Sequence, residues 1–200
     1  MDNDTVNAAL KKAISQRRST RAYTDQMVPD ELIEEVLEAG RHAPSANNLQ
    51  TTRFYVITNP EKLALLRDTM NDVLQDTTEK EGMSPGLLSL IKRAMQGGVD
   101  VTYGAPVLIV TTNRKGSANA IADCSCALQN MMLTASANGL GNCWINQFHS
   151  FRETPQLKSV FAELGLSKDE EICGSLILGY AENPVIKPIP ITGNRVTYIR

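Results

Sequence analysis

Pro106-Val107-Leu108-Ile109-Val110-Thr111-Thr112 is apolar at both alternate positions of an extended chain. A strand with one wet face alternates apolar with polar residues, so this run predicts a strand covered on both faces and central in a sheet. The covering elements are sought on either side. Downstream, between Ala118 and Asn138, Cys124, Leu128, Met131 and Ala135 share one helical face, Ala127 and Met132 widen it, and Gly139 supplies a C-terminal cap. This is the longest expected helix, and a buried one. Upstream, Phe54-Tyr55-Val56-Ile57-Thr58 is short, aromatic and β-branched, hence a strand. Asn59-Pro60 then offers a cap and a first helical position for Leu63, Leu66 and Met70.

Towards the N-terminus, Val6, Leu10, Ala13 and Ile14 recur at helical spacing, predicting a helix over about residues 4–17 that ends in Arg17 and Arg18, at the negative end of the helix dipole. Val28-Pro29-Asp30-Glu31 places Pro at a first helical position with acids in the first turn, ahead of a stripe of Leu32, Ile33, Val36, Leu37 and Gly40 that stops before Pro44. From about Asp72 to Gly104, charges, Gly82, Pro85 and Gly97-Gly98 break the pattern, which leaves one or two helices and a mobile covering segment. Cys143-Trp144-Ile145 is a short strand, Thr154-Pro155 opens a helix carrying Leu157, Val160, Phe161 and Leu164, and a buried strand runs from about Ile172 to Gly179. Pro184, Pro188 and Pro190 keep the tail extended up to the strand-like Val196-Thr197-Tyr198-Ile199, an arm suited to gripping a partner subunit. Long helices between few strands predict an α+β sheet flanked by helices rather than a repeating β-α barrel.

The 200 residues, 42% hydrophobic and 21% charged, are enough for one well-buried domain over residues 1–200, with about 70–104 as the covering segment and about 183–200 as the arm. Twenty Lys and Arg against 22 Asp and Glu give no general pull toward nucleic acid or an anionic membrane. No apolar run approaches the roughly 18 residues of a membrane-spanning helix, and the acidic Met-Asp-Asn-Asp start lacks a signal-peptide core, so the expected location is the cytoplasm. Cys124, Cys126, Cys143 and Cys173 are too few and scattered for a disulfide framework and read as structural thiols.

Familiar catalytic signatures are absent: there is no Gly-x-Ser-x-Gly, no Gly-x4-Gly-Lys and no His-Glu-x-x-His. His42 and His149 alone cannot build a histidine-rich metal site, and Cys124 and Cys126 sit about 200° apart around a helix, so no metal is expected. Gly139-Leu140-Gly141 follows a helix rather than a strand, which makes it a cap and not a dinucleotide loop.

Two segments offer chemistry. In Arg17-Arg18-Ser19-Thr20-Arg21 a helix gives way to extended chain. Residues 17, 19 and 21 then share one side at about 6.6 Å per step, a row of guanidinium, hydroxyl and guanidinium suited to an elongated anion with phosphate at one end. By spacing alone the plainer reading is a solvated basic helix end. In His42-Ala43-Pro44-Ser45-Ala46-Asn47-Asn48-Leu49-Gln50, side-chain amides offer donors and acceptors to the edge of a uracil-like ring; alone this too is an ordinary helix-terminating loop.

Taken together, Arg-Arg-Ser-Thr-Arg, the Val-Pro helix ending in Ala-Pro-Ser-Ala-Asn-Asn-Leu-Gln, the Phe-Tyr-Val-Ile strand, Gly-Ala-Pro-Val-Leu-Ile-Val at 104–110, Ala-Asn-Gly-Leu-Gly-Asn-Cys-Trp-Ile at 137–145 and Leu-Ile-Leu-Gly-Tyr-Ala at 176–181 resemble the nitroreductase family of FMN flavoproteins over nearly the whole chain. The resemblance implies a mixed, mainly antiparallel sheet and a homodimer with flavin at its interface. It assigns Arg17 to the phosphate, Arg18 and Ser19 to the phosphate or ribityl chain, and Arg21 to the pyrimidine edge. Pro44, Ser45, Ala46 and Asn48 would come from the second subunit, Asn48 nearest the ring. Asn146 and Gln147 follow the strand that in relatives brings a backbone N–H to flavin N5. No side chain is implied as catalytic, because the flavin carries the hydride.

The implied function is transfer of hydride from NADH or NADPH to nitroaromatics, quinones or similar acceptors by a ping-pong route. The alternatives are a specialised flavin reaction (dehydrogenation, dehalogenation or flavin breakdown) and a flavin-binding, redox-sensing protein without turnover. The chain also departs from the family. Thr51-Thr52-Arg53 stands where Pro and an aromatic usually follow Gln50, which bears on the contacts beneath the flavin. Ile191-Thr192 replaces a basic pair near the end, leaving Arg195, with Lys187 as competitor, to complete the phosphate site. Tyr103 is the aromatic left in the 70–104 segment for stacking on a substrate.

Overall fold

The computed structural model describes residues 2–184 and 190–200. Among the described residues four strands, β1 (Arg53–Ile57), β2 (Val107–Arg114), β3 (Gly141–Ile145) and β4 (Glu170–Gly179), form one sheet in the order β1-β2-β4-β3, with every neighbouring pair antiparallel. The parallel element is an isolated bridge from Ser19 to Asn142.

The double apolar alternation of β2 is answered by helices on both sides. Val107 and Ile109 pack with α2 (Asp30–Arg41) and α5 (Ala120–Ala137) through Val36, Leu37, Leu128 and Met131. Leu108 and Val110 pack on the other face with α3 (Pro60–Gln75), α4 (Pro85–Gly97) and α7 (Pro155–Glu163). Strand β4 needs one irregularity to serve both cores. Thr111 pairs with Gly174 and Thr112 with Ile172, so Cys173 is an extra, bulged residue. The bulge puts Cys173 against Ala120 and Cys124 of α5 and sends Ile172 to the opposite core. At Gly174 the helix comes so close that an added Cβ would stand 2.8 Å from Leu128 Cδ1.

Local chemistry sets the helix ends. Asn59 accepts from the Lys62 N–H at 3.0 Å ahead of Pro60, as its sequence position predicts. Gly139 takes φ +75° and the Leu140 N–H returns to the Ala135 carbonyl at 2.9 Å, a capping turn rather than a dinucleotide loop.

Four expectations need correction. The first helix, α1 (Asn3–Gln16), stops before the arginines: Arg17 has ψ 133° and already belongs to extended chain. Pro29 occupies the cap of α2 rather than its first helical position, its missing N–H being no loss at either place. A one-turn helix, α6 (Gln147–Ser150), follows β3 where none was expected, because the fully buried Phe148 anchors it edge-on to Phe161 at 5.8 Å between ring centres. Residues 196–199 form no strand: the whole of 190–200 is exposed coil, and a strand requires a ladder partner that this single chain does not bring to it.

Candidate functional site

The chain leaving α1 crosses the outer edge of β3. The Thr20 N–H donates to the Asn142 carbonyl at 2.8 Å, and the Thr24 N–H donates to the Tyr180 carbonyl at 2.9 Å. Between them, buried Tyr23 bridges to Ala181 and its hydroxyl donates to the Thr20 carbonyl at 2.9 Å. Burial pushes the Tyr23 phenol above its ordinary pKa, so this hydroxyl remains a donor. The approach demands glycine at the facing position: a Cβ on Gly141 would meet Thr20 Cγ2 at 2.8 Å and Oγ1 at 2.9 Å.

Held in this way, Arg17 and Arg18 are half-buried, and Ser19 and Arg21 are exposed. Arg18 Nη1 donates to the Arg17 carbonyl. Among the described residues no carboxylate pairs with Arg17 or Arg21. A half-buried guanidinium without an acidic partner is a ready anion receptor.

The same edge carries the second expected segment. Asn146 is exposed at the end of β3, its Nδ2 donating to Ser150 Oγ at 3.2 Å, and half-buried Gln147 opens α6. Asn142 and Asn146 are four residues apart on a strand, about 13 Å. The 17–21 segment and Asn146–Gln147 therefore lie along one edge, with Ser19 beside Asn142 and Asn146 about 13 Å further on.

The amide loop is at the other edge. Between α2 and β1, residues Ala46–Asn48 form a single 3-10 turn in which Pro44 and Asn48 are exposed and Ser45 and Ala46 half-buried. Asn47, Asn48 and Gln50 have φ of 51°, 53° and 51°, the left-handed region that disfavours side chains. Internal bonds offset the strain: Ser45 Oγ accepts from the Gln50 N–H at 3.0 Å, and Gln50 Nε2 donates to Asn48 Oδ1 at 3.1 Å. Asp123 of α5, 77 residues further along the chain, accepts from the Ala46 N–H at 3.1 Å. Loop, α2 and α5 enclose a cavity of about 200 Å³ lined by Ser45, Thr52, Phe54 and Asp123 among others. Sequence reasoning passed over Asp123. Its signal was an acid in the first turn of an otherwise apolar helix face.

The unusual Thr51-Thr52-Arg53 is absorbed by the fold. Thr52 Oγ1 is 3.8 Å from Cys124 Sγ, and Arg53 pairs at 2.6 Å with the largely covered side chain of half-buried Glu170, which also accepts from Tyr55 Oη at 3.0 Å and Thr112 Oγ1 at 2.8 Å. Arg195 stands exposed on the tail and, among the described residues, forms no ion pair; Lys187 lies outside the described residues. Tyr103 is half-buried against the α3-side core with φ 54°.

One chain does not unite the two segments. Three inter-strand spacings, about 14 Å, separate the β3 edge from the β1 edge. Among the described residues no helix is long and apolar enough to cross a membrane, and no group of three His, Cys, Asp or Glu is poised to hold a metal.

Known proteins share this fold and much of this sequence. The chain is 29% identical over 202 residues to nitrobenzene nitroreductase of Ectopseudomonas oleovorans, covering 85% of this chain and 86% of that one. A nitroreductase of Bacteroides fragilis, solved with bound FMN, superposes with a TM-score of 0.85 at 28% identity over 96% of this chain and 98% of its own. A nitroreductase of Desulfitobacterium hafniense, also solved with FMN, gives 0.81 at 25% identity with both chains fully covered. The sheet order, the arginine row crossing the β3 edge and the amide loop all fall within residues 14–180, the stretch that matches the nitroreductase family, and the chain belongs to that family.

Proposed function

We propose that the protein is an FMN-dependent oxidoreductase that takes hydride from NADH or NADPH and delivers it to a nitroaromatic, a quinone or a similarly electron-poor acceptor, the two substrates using one site in turn. The observation that carries this reading is the pair Arg17 and Arg21, held on the β3 edge by the Thr20–Asn142 bond and without an acidic partner among the described residues. That donor set fits a flavin mononucleotide: guanidinium and hydroxyl groups suit the phosphate and ribityl chain, and the amide loop suits the edge of the ring system. FMN supplies the hydride-carrying centre when bound, which fits a sequence without the familiar acid–base motifs.

In this reading Arg17 holds the phosphate, Arg18 and Ser19 the phosphate or ribityl chain, and the positive charge of Arg21 favours electron density at the pyrimidine edge. Asn146 and Gln147 offer backbone N–H groups at the turn from β3 into α6. Pro44, Ser45, Ala46 and Asn48 come from a second copy, with the whole chain acting as one FMN-binding domain. Support for a homodimer comes from α1, which buries none of its residues and leaves Val6, Leu10 and Ile14 at 50%, 54% and 56% exposure along one stripe. An apolar stripe of this kind calls for a partner. The exposed Ile191, Val196, Tyr198 and Ile199 suit an arm laid on that partner, where Arg195 joins the phosphate. Three cysteines buried as thiols fit the cytoplasm.

Steady-state oxidation of NADH or NADPH with menadione or a nitrofuran tests the proposal. Parallel double-reciprocal lines are expected; intersecting lines, or no consumption, contradict it.

A further inference from the structure

We infer that Asp123 is the positioning residue that locks the amide loop into the conformation it presents to the flavin; the inference rests on the flavin reading above. The loop is strained at Asn47, Asn48 and Gln50, and a backbone in the left-handed region persists where its surroundings over-determine it. The bonds from the Gln50 N–H to Ser45 Oγ and from Gln50 Nε2 to Asn48 Oδ1 knit the loop to itself and leave its orientation on the protein unset. The Ala46 N–H donating to Asp123 Oδ1 ties it to α5, immediately ahead of the two left-handed asparagines. Fixing Ala46 therefore aims the Asn48 amide.

The burial of Asp123 supports this role. An acid in the first turn of a helix interacts favourably with the dipole from an exposed position, yet Asp123 is 8% exposed, facing the cavity under the loop beside Ser45 and Thr52. Burying a carboxylate is unfavourable unless it finds donors, and the bond from the Ala46 N–H offsets part of that cost.

The test uses Asp123→Ala and Asp123→Asn in the full-length chain, with three readouts: hydrogen exchange at the Ala46 and Gln50 amides, FMN titration of the apoprotein, and Tm. The Asn variant keeps an acceptor oxygen and loses the charge. The expected order is parent, Asn, Ala in both loop protection and FMN affinity, with the Ala variant exchanging at Ala46 and dissociating FMN about tenfold more readily. A helix-dipole role alone would lower Tm while leaving loop exchange and FMN affinity as in the parent, and that result overturns the inference. If the Ala variant does not fold, the Asn variant decides: unchanged protection and affinity overturn it, and intermediate values support it. If the parent itself takes up no FMN, the flavin reading fails. The exchange data then still judge whether Asp123 holds the loop.

Discussion

Gly141→Ala should strike the site without touching any residue assigned to the cofactor. The new methyl carbon would lie 2.8 Å from Thr20 Cγ2, 2.9 Å from its Oγ1 and 3.0 Å from its Cβ, and a threonine beside its own backbone has no distant, flexible end to move aside. Either the clash is retained, at the roughly 1–3 kcal/mol of an overpacked contact, or the 17–21 segment lifts and gives up the Thr20–Asn142 hydrogen bond, worth about 1 kcal/mol. Tm should fall by several degrees, at about 2–4 °C per kcal/mol for a chain of this size. The effect on FMN should be larger than this implies, because lifting the segment displaces Arg17, whose proposed charge-assisted contact with the phosphate would be worth about 1.5–3 kcal/mol. Titrating the apoprotein with FMN should show a Kd raised about tenfold or more. Adding Thr20→Ala removes two of the three close contacts and should recover part of both losses. A Gly141→Ala protein with parental Tm and Kd would refute the claim that this crossing holds the arginine row.

Arg17→Ala itself should raise the FMN Kd about tenfold or more with little change in Tm; unchanged affinity in the same titration would remove Arg17 from the phosphate site. Leu10→Glu places a charge in the middle of the exposed α1 stripe and should convert a dimer to monomer by light scattering, with release of FMN. A dimer that persists with full flavin would move the interface away from α1.

Much of this architecture was legible because pattern and packing coincide. The double alternation of residues 106–112 stated that helices lie on both sides of β2, and Val107, Ile109, Leu108 and Val110 divide between the two cores accordingly. What the sequence hid was governed by single tertiary contacts. Nothing local marks Cys173 as a bulge, since the slip comes from β4 having to feed two cores and α5 pressing on Gly174. The turn α6 depends on Phe148 reaching Phe161, and four residues are too few for a periodic signal. In the site, the arginine row and amide loop were visible as residue types, and their placement on opposite edges follows from a strand order that spacing does not encode. Asp123 was missed for a similar reason: its partner is 77 residues away.

A flavin oxidoreductase whose cofactor is held by the arginine row would declare itself in the visible spectrum of the purified protein, reconstituted with FMN and then given NADH or NADPH without oxygen. About one bound FMN per chain is expected, with loss of the oxidised flavin band on addition of one of the two nucleotides. A chain that fails to retain FMN, or a bound flavin whose band neither nucleotide bleaches, would contradict it.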